Sequence, residues 1–307
     1  MYKIFNVPPT AAESTEQLGT KFKFWYWDID YGRTLFKEGR PDTGENWAEK
    51  IACELAELLG MPHASYEFAR YKDKEGVISR ILVSRGARLI HGNELLASTD
   101  TDYGESYNQP YGQRDHTIRR VLSYFRASTD LVGAPYGFVQ TRNISTALDV
   151  FIGYLMFDAW IANQDRHDQN WALLKAIDGN SFLSPSYDHG SSMGRNENDK
   201  RRITMLTTKD NGQHISKYIL AARSAFYPQS SAEQKAKALF TLDAFALAAR
   251  QSLPAAKEWQ ERLAGIGHLQ IRNIFDSVPQ EIMTDTAKVF TEELLKLNRQ
   301  RILDCDF

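Results

Sequence analysis

Trp160-Ile161-Ala162-Asn163-Gln164-Asp165-Arg166-His167-Asp168-Gln169-Asn170-Trp171, followed downstream by Ser186-Tyr187-Asp188-His189-Gly190, is the stretch on which the reading of this chain turns. Asn170 follows Asp165 by five residues, and Asp188 follows it by 23. The Asp/Asn pair lies between an apolar helical run and a short strand-like piece, Trp171 to Lys175. Asp188 lies just past a second such piece, Ser181 to Leu183, and the turn Asp178-Gly179-Asn180 joins the two. A hairpin of those pieces brings Asn170 and Asp188 side by side. Hard divalent cations take carboxylate and amide oxygens, and Mg²⁺ typically uses only one or two protein carboxylates plus phosphate oxygens.

Phosphoryl transfer asks three things of a protein: metal ions bridging the phosphates, a cation on the phosphates, and a group that orients and deprotonates the attacking hydroxyl. The kinase catalytic loop sets a base Asp five residues before a metal-binding Asn, with a second metal-binding Asp on a later strand end. Asp165, Asn170 and Asp188 have that spacing, although Arg166 and His167 here follow the Asp instead of preceding it.

The chain around this segment has 307 residues, 42% of them hydrophobic and 25% charged, with a formal net charge of −2. That composition is ordinary for a globular protein of about two domains or lobes. The near-balance of charge gives no reason to expect nucleic acid or a membrane surface as a partner. Two cysteines, Cys53 and Cys305, argue against a disulfide scaffold and a Cys-based zinc site. The first residues lack the charged and apolar regions of a signal peptide. The most apolar stretch, Val150 to Ala162, is too short to cross a bilayer. A cytoplasmic protein is expected.

Lys21 to Trp27 alternates with period two and predicts a strand; Arg33 to Glu38 predicts a second after the turn at Asp28 to Gly32. Glu45 to Leu59 carries Trp47, Ala48, Ile51, Ala52, Leu55, Leu58 and Leu59 on one arc, the pattern of an amphipathic helix, and Gly60-Met61-Pro62 stops it. Ser65 to Tyr71 and Val77 to Ser84 predict two more strands. Gly104 to Gln113 reads as loop. Helices are expected at Asp115 to Arg126, Ser145 to Asn163, Ile215 to Phe226, Ala232 to Gln251, Ala255 to Leu263 and Asp285 to Leu303, and Asn196 to Lys209 as an exposed loop. Strands first and helices after give an α+β, two-lobed arrangement: a phosphate-binding N-lobe over residues 1–100 and a helical C-lobe over 101–307.

Asp165-Arg166-His167-Asp168-Gln169-Asn170, then Tyr187-Asp188, resembles the HipA-like serine/threonine kinases. The same D-R-H-x-x-N string occurs in the phosphatidylinositol 3- and 4-kinases. Leu35-Phe36-Lys37 is similar to the family's strand lysine, Glu49 to its helix glutamate, and Leu18-Gly19-Thr20-Lys21 to the end of its phosphate loop. The match covers roughly residues 10 to 230. HipA toxins carry an additional N-terminal subdomain before the phosphate loop; about a dozen residues stand there in this chain, as in the shorter members. The loop has one glycine, Gly19, where G-x-G-x-x-G has three.

The resemblance implies a protein-kinase-like fold, with ATP and Mg²⁺ as cofactors and a protein serine or threonine as acceptor. Asp165 would be the base, Arg166 and His167 would shape its loop, and Asn170 and Asp188 would hold Mg²⁺. Gly19, Thr20, Lys37 and Glu49 would serve the nucleotide phosphates, and Ser14 or Thr15 would be an autophosphorylation site. Family members that act as toxins modify translation proteins such as aminoacyl-tRNA synthetases and pair with an antitoxin. Several choices stay open on residues alone. Lys23 competes with Lys37, and Glu45, Glu49 and Glu54 all border the apolar arc of their helix. Trp25 to Trp27 reads as core packing more readily than as a base-stacking surface. Arg195 to Arg202 reads as a solvated loop or a substrate contact. Alternative readings are a lipid or small-molecule kinase, a nucleotide-binding toxin–antitoxin module without turnover, and a metal-dependent phosphohydrolase using Asp165, His167 and Asp188.

Overall fold

The computed structural model describes the chain except residues 12–13, 16–21, 84–85, 101, 104–113 and 230–235, and gives the backbone alone for 14–15. Gly19 and Thr20 therefore lie outside the described residues. The first part is a six-stranded sheet. Its strands are β1 (Ile4–Val7), β2 (Ser14–Thr15), β3 (Lys23–Asp28), β4 (Gly32–Glu38), β5 (Glu67–Tyr71) and β6 (Lys74–Arg80), in the order β1-β5-β6-β4-β3-β2. All neighbours are antiparallel except β1 and β5. The alternation read from the sequence is visible in β3, where Phe24 and Tyr26 are buried with Phe36, Tyr71 and Ile78 and Trp27 faces outward. Helix α1 (Glu45–Leu58) follows β4 and covers the sheet with Trp47, Ala48, Ile51, Ala52 and Leu55.

A second sheet of four strands has the order β7-β9-β10-β8, formed by β7 (Arg88–His91), β8 (Val132–Gly133), β9 (Ala172–Lys175) and β10 (Ser181–Leu183). The expected hairpin exists, with Leu173 opposite Leu183 and Lys175 opposite Ser181. β7, which precedes residue 100, pairs with β9 and so joins this second sheet. Helices α2 (Gly92–Thr99) and α3 (Ile118–Ala127) lead to α4 (Ala147–Ile161), all 15 residues of which are buried. A helix apolar all round belongs inside a core, and this one packs against later helices α7 (Thr241–Ala249), α8 (Leu253–Gly265) and α10 (Asp285–Leu303). A capping box starts α4: Thr146 Oγ1 accepts from Asp149 N–H at 3.1 Å, and Asp149 Oδ2 accepts from Thr146 N–H at 3.0 Å. Ala162, at φ 53°, ends it in the left-handed region.

Some boundaries differ from expectation. Residues 199–207 are not loop but helix α5 (Asp199–Thr207), capped by Asn198 and held by buried Arg202 and Met205, a short amphipathic turn hidden by the local excess of charge. The helix expected from Ile215 is the four-residue α6 (Ile215–Tyr218) plus a single 3-10 turn, and α9 (His268–Ser277) was not anticipated. No helix among the described residues is long and apolar enough to cross a membrane.

His116, fully buried ahead of α3, braces the strand entry. Trp171 Nε1 donates to its Nε2 at 3.2 Å, so the proton sits on Nδ1 and goes to Ala225 O at 3.0 Å. Burial lowers its pKa to about 4, against an ordinary 6.5. Between those values the unfolded chain binds more protons, so this group costs stability as pH falls from about 6.5 towards 4. His116→Gln should therefore narrow the stability difference between pH 7 and pH 5 by about 2 kcal/mol, read from urea unfolding at the two pH values.

Candidate active site

The end of α4 delivers the Asp165–Asn170 segment, and backbone bonds close it tightly. His167 N–H donates to Asp165 O and Asn170 N–H to His167 O, both at 2.8 Å, while Asn170 Nδ2 donates to Asp165 O at 2.6 Å. That last bond fixes the amide. The Asn170 oxygen accepts no hydrogen bond from the described residues and is left available. Residues at the start of α2 hold the segment from outside: Asn93 N–H donates to Asp168 O and Gly92 N–H to Trp171 O, each at 3.0 Å. A Cβ on Gly92 would stand 2.2 Å from the Trp171 ring and 2.7 Å from Asp168 O, so only glycine allows this approach. Tyr103 Oη adds a bond to Asp168 Oδ2 at 2.6 Å.

Arg166 turns away from the cleft. It is 1% exposed, and its guanidinium makes a two-pronged pair with Asp158 of α4, the one acid in the middle of that apolar helix. It also donates to Asn170 O at 3.3 Å, to Ser186 Oγ at 2.9 Å and to His189 Nε2 at 3.3 Å. An arginine cannot accept, so His189 Nε2 is the acceptor and its proton is on Nδ1. Burial, with Arg166 beside it, pushes the His189 pKa well down, and the ring stays neutral. Ser186 Oγ then donates to the same nitrogen at 2.7 Å. His167 lies at the loop surface, a third exposed, with its Nδ1 accepting from Gln169 N–H at 3.2 Å and its Nε2 3.9 Å from Asp165 Oδ1.

Lys37 on β4 is buried between two carboxylates. Its Nζ donates to Glu49 Oε1 of α1 at 2.6 Å and also to Asp188 Oδ1. Burial opposes the ammonium charge, but Asp188 and Glu49 outweigh it and raise the pKa well above the ordinary lysine value. Glu49 Oε2 in turn accepts from His189 N–H at 2.8 Å. The choice among the three helix acids is thereby made: Glu45 pairs with Arg40 and Arg195, and Glu54 with Lys50. Asp188 itself is left-handed at φ 58°, uncommon outside glycine, and its N–H donates to Tyr66 Oη at 3.1 Å. The conformation directs a carboxylate at the end of the hairpin back to Lys37.

Asp165 is accessible. Its Oδ2 accepts from Ser191 Oγ at 3.1 Å, and it lines a polar cavity of about 310 Å³ with Arg40, Arg195 and Tyr218. A cavity of about 760 Å³ between α2, α3 and the four-stranded sheet contains none of these groups. Among the described residues no cluster of three or more His, Cys, Asp or Glu could cage a metal. What Asp188 and Asn170 offer is one carboxylate and one free amide oxygen, the sparse hard donor set that suits Mg²⁺ when phosphate completes the shell. Ser14 and Thr15 are in β2, opposite Trp25 and Phe24 of β3. Sequence reasoning missed Asp158, Ser186, His189, Ser191 and Arg195; the solitary acid of α4 was the signal available for the first.

These lobes, the strand lysine joined to a helix glutamate and the loop–hairpin pair of acids make up a two-lobed, protein-kinase-like α+β fold. The family model for the HipA-like C-terminal domain matches residues 19–253, and the chain belongs to that family. A structure of the Helicobacter pylori proinflammatory kinase CtkA superimposes with a TM-score of 0.75 at 17% identity, covering 98% of this chain and 96% of that one. HipA of the Shewanella oneidensis MR-1 toxin–antitoxin system, solved with HipB and operator DNA, superimposes with a TM-score of 0.58 at 12% identity, covering 97% of this chain and 68% of that one. No curated protein matches by sequence.

Replacing Arg166 by Met should leave Asp158 as an unpaired buried charge and cost about 3–5 kcal/mol in urea unfolding. Removing the acid as well, in Arg166→Met with Asp158→Leu, should recover much of that loss. Equal instability of the single and double variants would show that the pair is not what Arg166 contributes.

Proposed function

We propose that this chain is an ATP- and Mg²⁺-dependent kinase that transfers the γ-phosphoryl group to a serine or threonine hydroxyl of a protein. The observation that carries the reading is Lys37, held in one buried cluster by Glu49, 12 residues on, and Asp188, 151 residues on. A lysine kept charged there has a use on phosphates that a solvated edge lysine lacks. Lys37, fixed by Glu49, binds the ATP phosphates. Asp165 orients the acceptor hydroxyl and takes its proton. Asn170 and Asp188 would hold Mg²⁺, which supplies charge neutralisation on the phosphates when bound. The remainder of the rate comes from positioning and from fixed charges in a partly dry cleft. Residues 1–100 carry the phosphate-binding work and 101–307 the base and metal-binding residues, with β7 and α2 packed against the second part.

The same reading extends to Gly19 and Thr20 as phosphate-loop contacts and to Ser14 or Thr15 as an autophosphorylation site, where added phosphate charge would oppose nucleotide binding. The HipA neighbour was solved with HipB and operator DNA. That supports an antitoxin-like partner for this chain, with a translation protein such as an aminoacyl-tRNA synthetase as substrate.

Incubation with γ-labelled ATP, Mg²⁺ and host lysate tests the proposal. Label should pass to protein. Asp165→Asn should lower transfer on the order of 10²–10⁴-fold while leaving ATP affinity near that of the parent. Lys37→Ala should remove most activity, whereas a phosphohydrolase built on Asp165, His167 and Asp188 would be indifferent to it. ATP bound without any transfer would instead mark a regulatory module.

A further inference from the structure

The cavity beside Asp165 has a charge balance that the proposed chemistry does not itself require. Arg40, in the loop between β4 and α1, and Arg195 both pair with one carboxylate, Glu45 at the first turn of α1. Arg40 also donates its N–H to Glu45 Oε2 at 3.1 Å, and Gly44 N–H donates to Arg195 O at 2.9 Å, so the two loops close on each other. Glu45 is 3% exposed in its side chain and Arg195 9%, while Arg40 is 43% exposed. Two guanidinium groups therefore share a single buried acid, and the excess positive charge is at the accessible rim. Glu197, the other acid of the cavity, is engaged by Arg201 at 2.8 Å. Burial, then Arg40, lowers the Arg195 pKa to about 10, which leaves it charged near neutrality.

Arg195 is also joined to the candidate base. Its Nη2 donates to Ser191 Oγ at 3.2 Å, and Ser191 Oγ donates to Asp165 Oδ2 at 3.1 Å. Two hydrogen bonds in series span about two residues of extended chain, at about 3.3 Å per residue. A hydroxyl on Asp165 thus places neighbouring groups of the same peptide against Arg195 and Arg40. Guanidinium forks select carboxylate and phosphate.

We propose that the cavity lined by Asp165, Ser191, Arg195 and Arg40 is the acceptor site, and that it selects serine or threonine peptides with an acidic or phosphorylated residue within about two positions of the acceptor. The assignment rests on the kinase reading above. Arg40 is the specificity determinant, because its charge is the exposed and unbalanced one.

A position-scanning peptide library, labelled with γ-labelled ATP, tests it. Wild-type protein should prefer peptides with Asp, Glu or phosphoserine near the acceptor over neutral ones by on the order of tenfold. Arg40→Gln should level that preference, and Arg40→Glu should reverse it towards Lys and Arg. A single exposed side chain is changed in each, and thermal unfolding midpoints should stay close to the parent. Labelling without an acidic preference, or a preference that survives Arg40→Glu, overturns the proposal. ATP turnover with no peptide labelled overturns the peptide acceptor but leaves phosphoryl transfer standing, and no ATP turnover overturns both.

Discussion

Arg166 and Asp158 meet inside the second lobe, and the geometry of the candidate site follows from their pairing. Desolvating two charges is expensive, and an apolar pair of the same volume is often as stable. The benefit lies in shape. A guanidinium has five donors in a rigid fork, and here they reach the carboxylate on α4, the carbonyl of Asn170, the hydroxyl of Ser186 and the ring of His189. Helix, loop and hairpin end are thereby tied to one planar group. Asn170 and Asp188, far apart in sequence, take their relative placement from it.

The link between the lobes is ionic as well. Glu49 receives Lys37 on one oxygen and the His189 backbone on the other, so α1, β4 and the hairpin end share one carboxylate. Glu45, four residues earlier on α1, makes a parallel connection through Arg195 and Ser191 to Asp165. Two acids one helical turn apart thus connect the same helix to the phosphate side and to the acceptor side of the cleft. A displacement of α1 would disturb both.

Much of this was legible beforehand, for identifiable reasons. The β9–β10 hairpin announced itself through Asp178-Gly179-Asn180, and α1 through its apolar arc and its Gly-Met-Pro stop, because turn chemistry and 3.6-residue periodicity are local. The D-R-H-x-x-N string pointed to Asp165, Asn170 and Asp188, and Lys37 and Glu49 were expected from their order along the chain; the structure brings Lys37, Glu49 and Asp188 into contact. Contacts between distant segments were not legible. Nothing local says that Arg166 faces inward, that Glu45 meets Arg195 across 150 residues, or that Asp199–Thr207 is helical when charge masks its two buried side chains. Such facts depend on tertiary packing, which overrides local propensity.

The most direct test of the central claim is a crystal structure of the protein with Mg²⁺ and a non-hydrolysable ATP analogue. The account requires the triphosphate against Lys37, the metal bound through Asp188 and the Asn170 amide oxygen, and Asp165 open towards the terminal phosphate. Nucleotide seated elsewhere, with Asp188 and Asn170 making no contact to metal or phosphate, would contradict it.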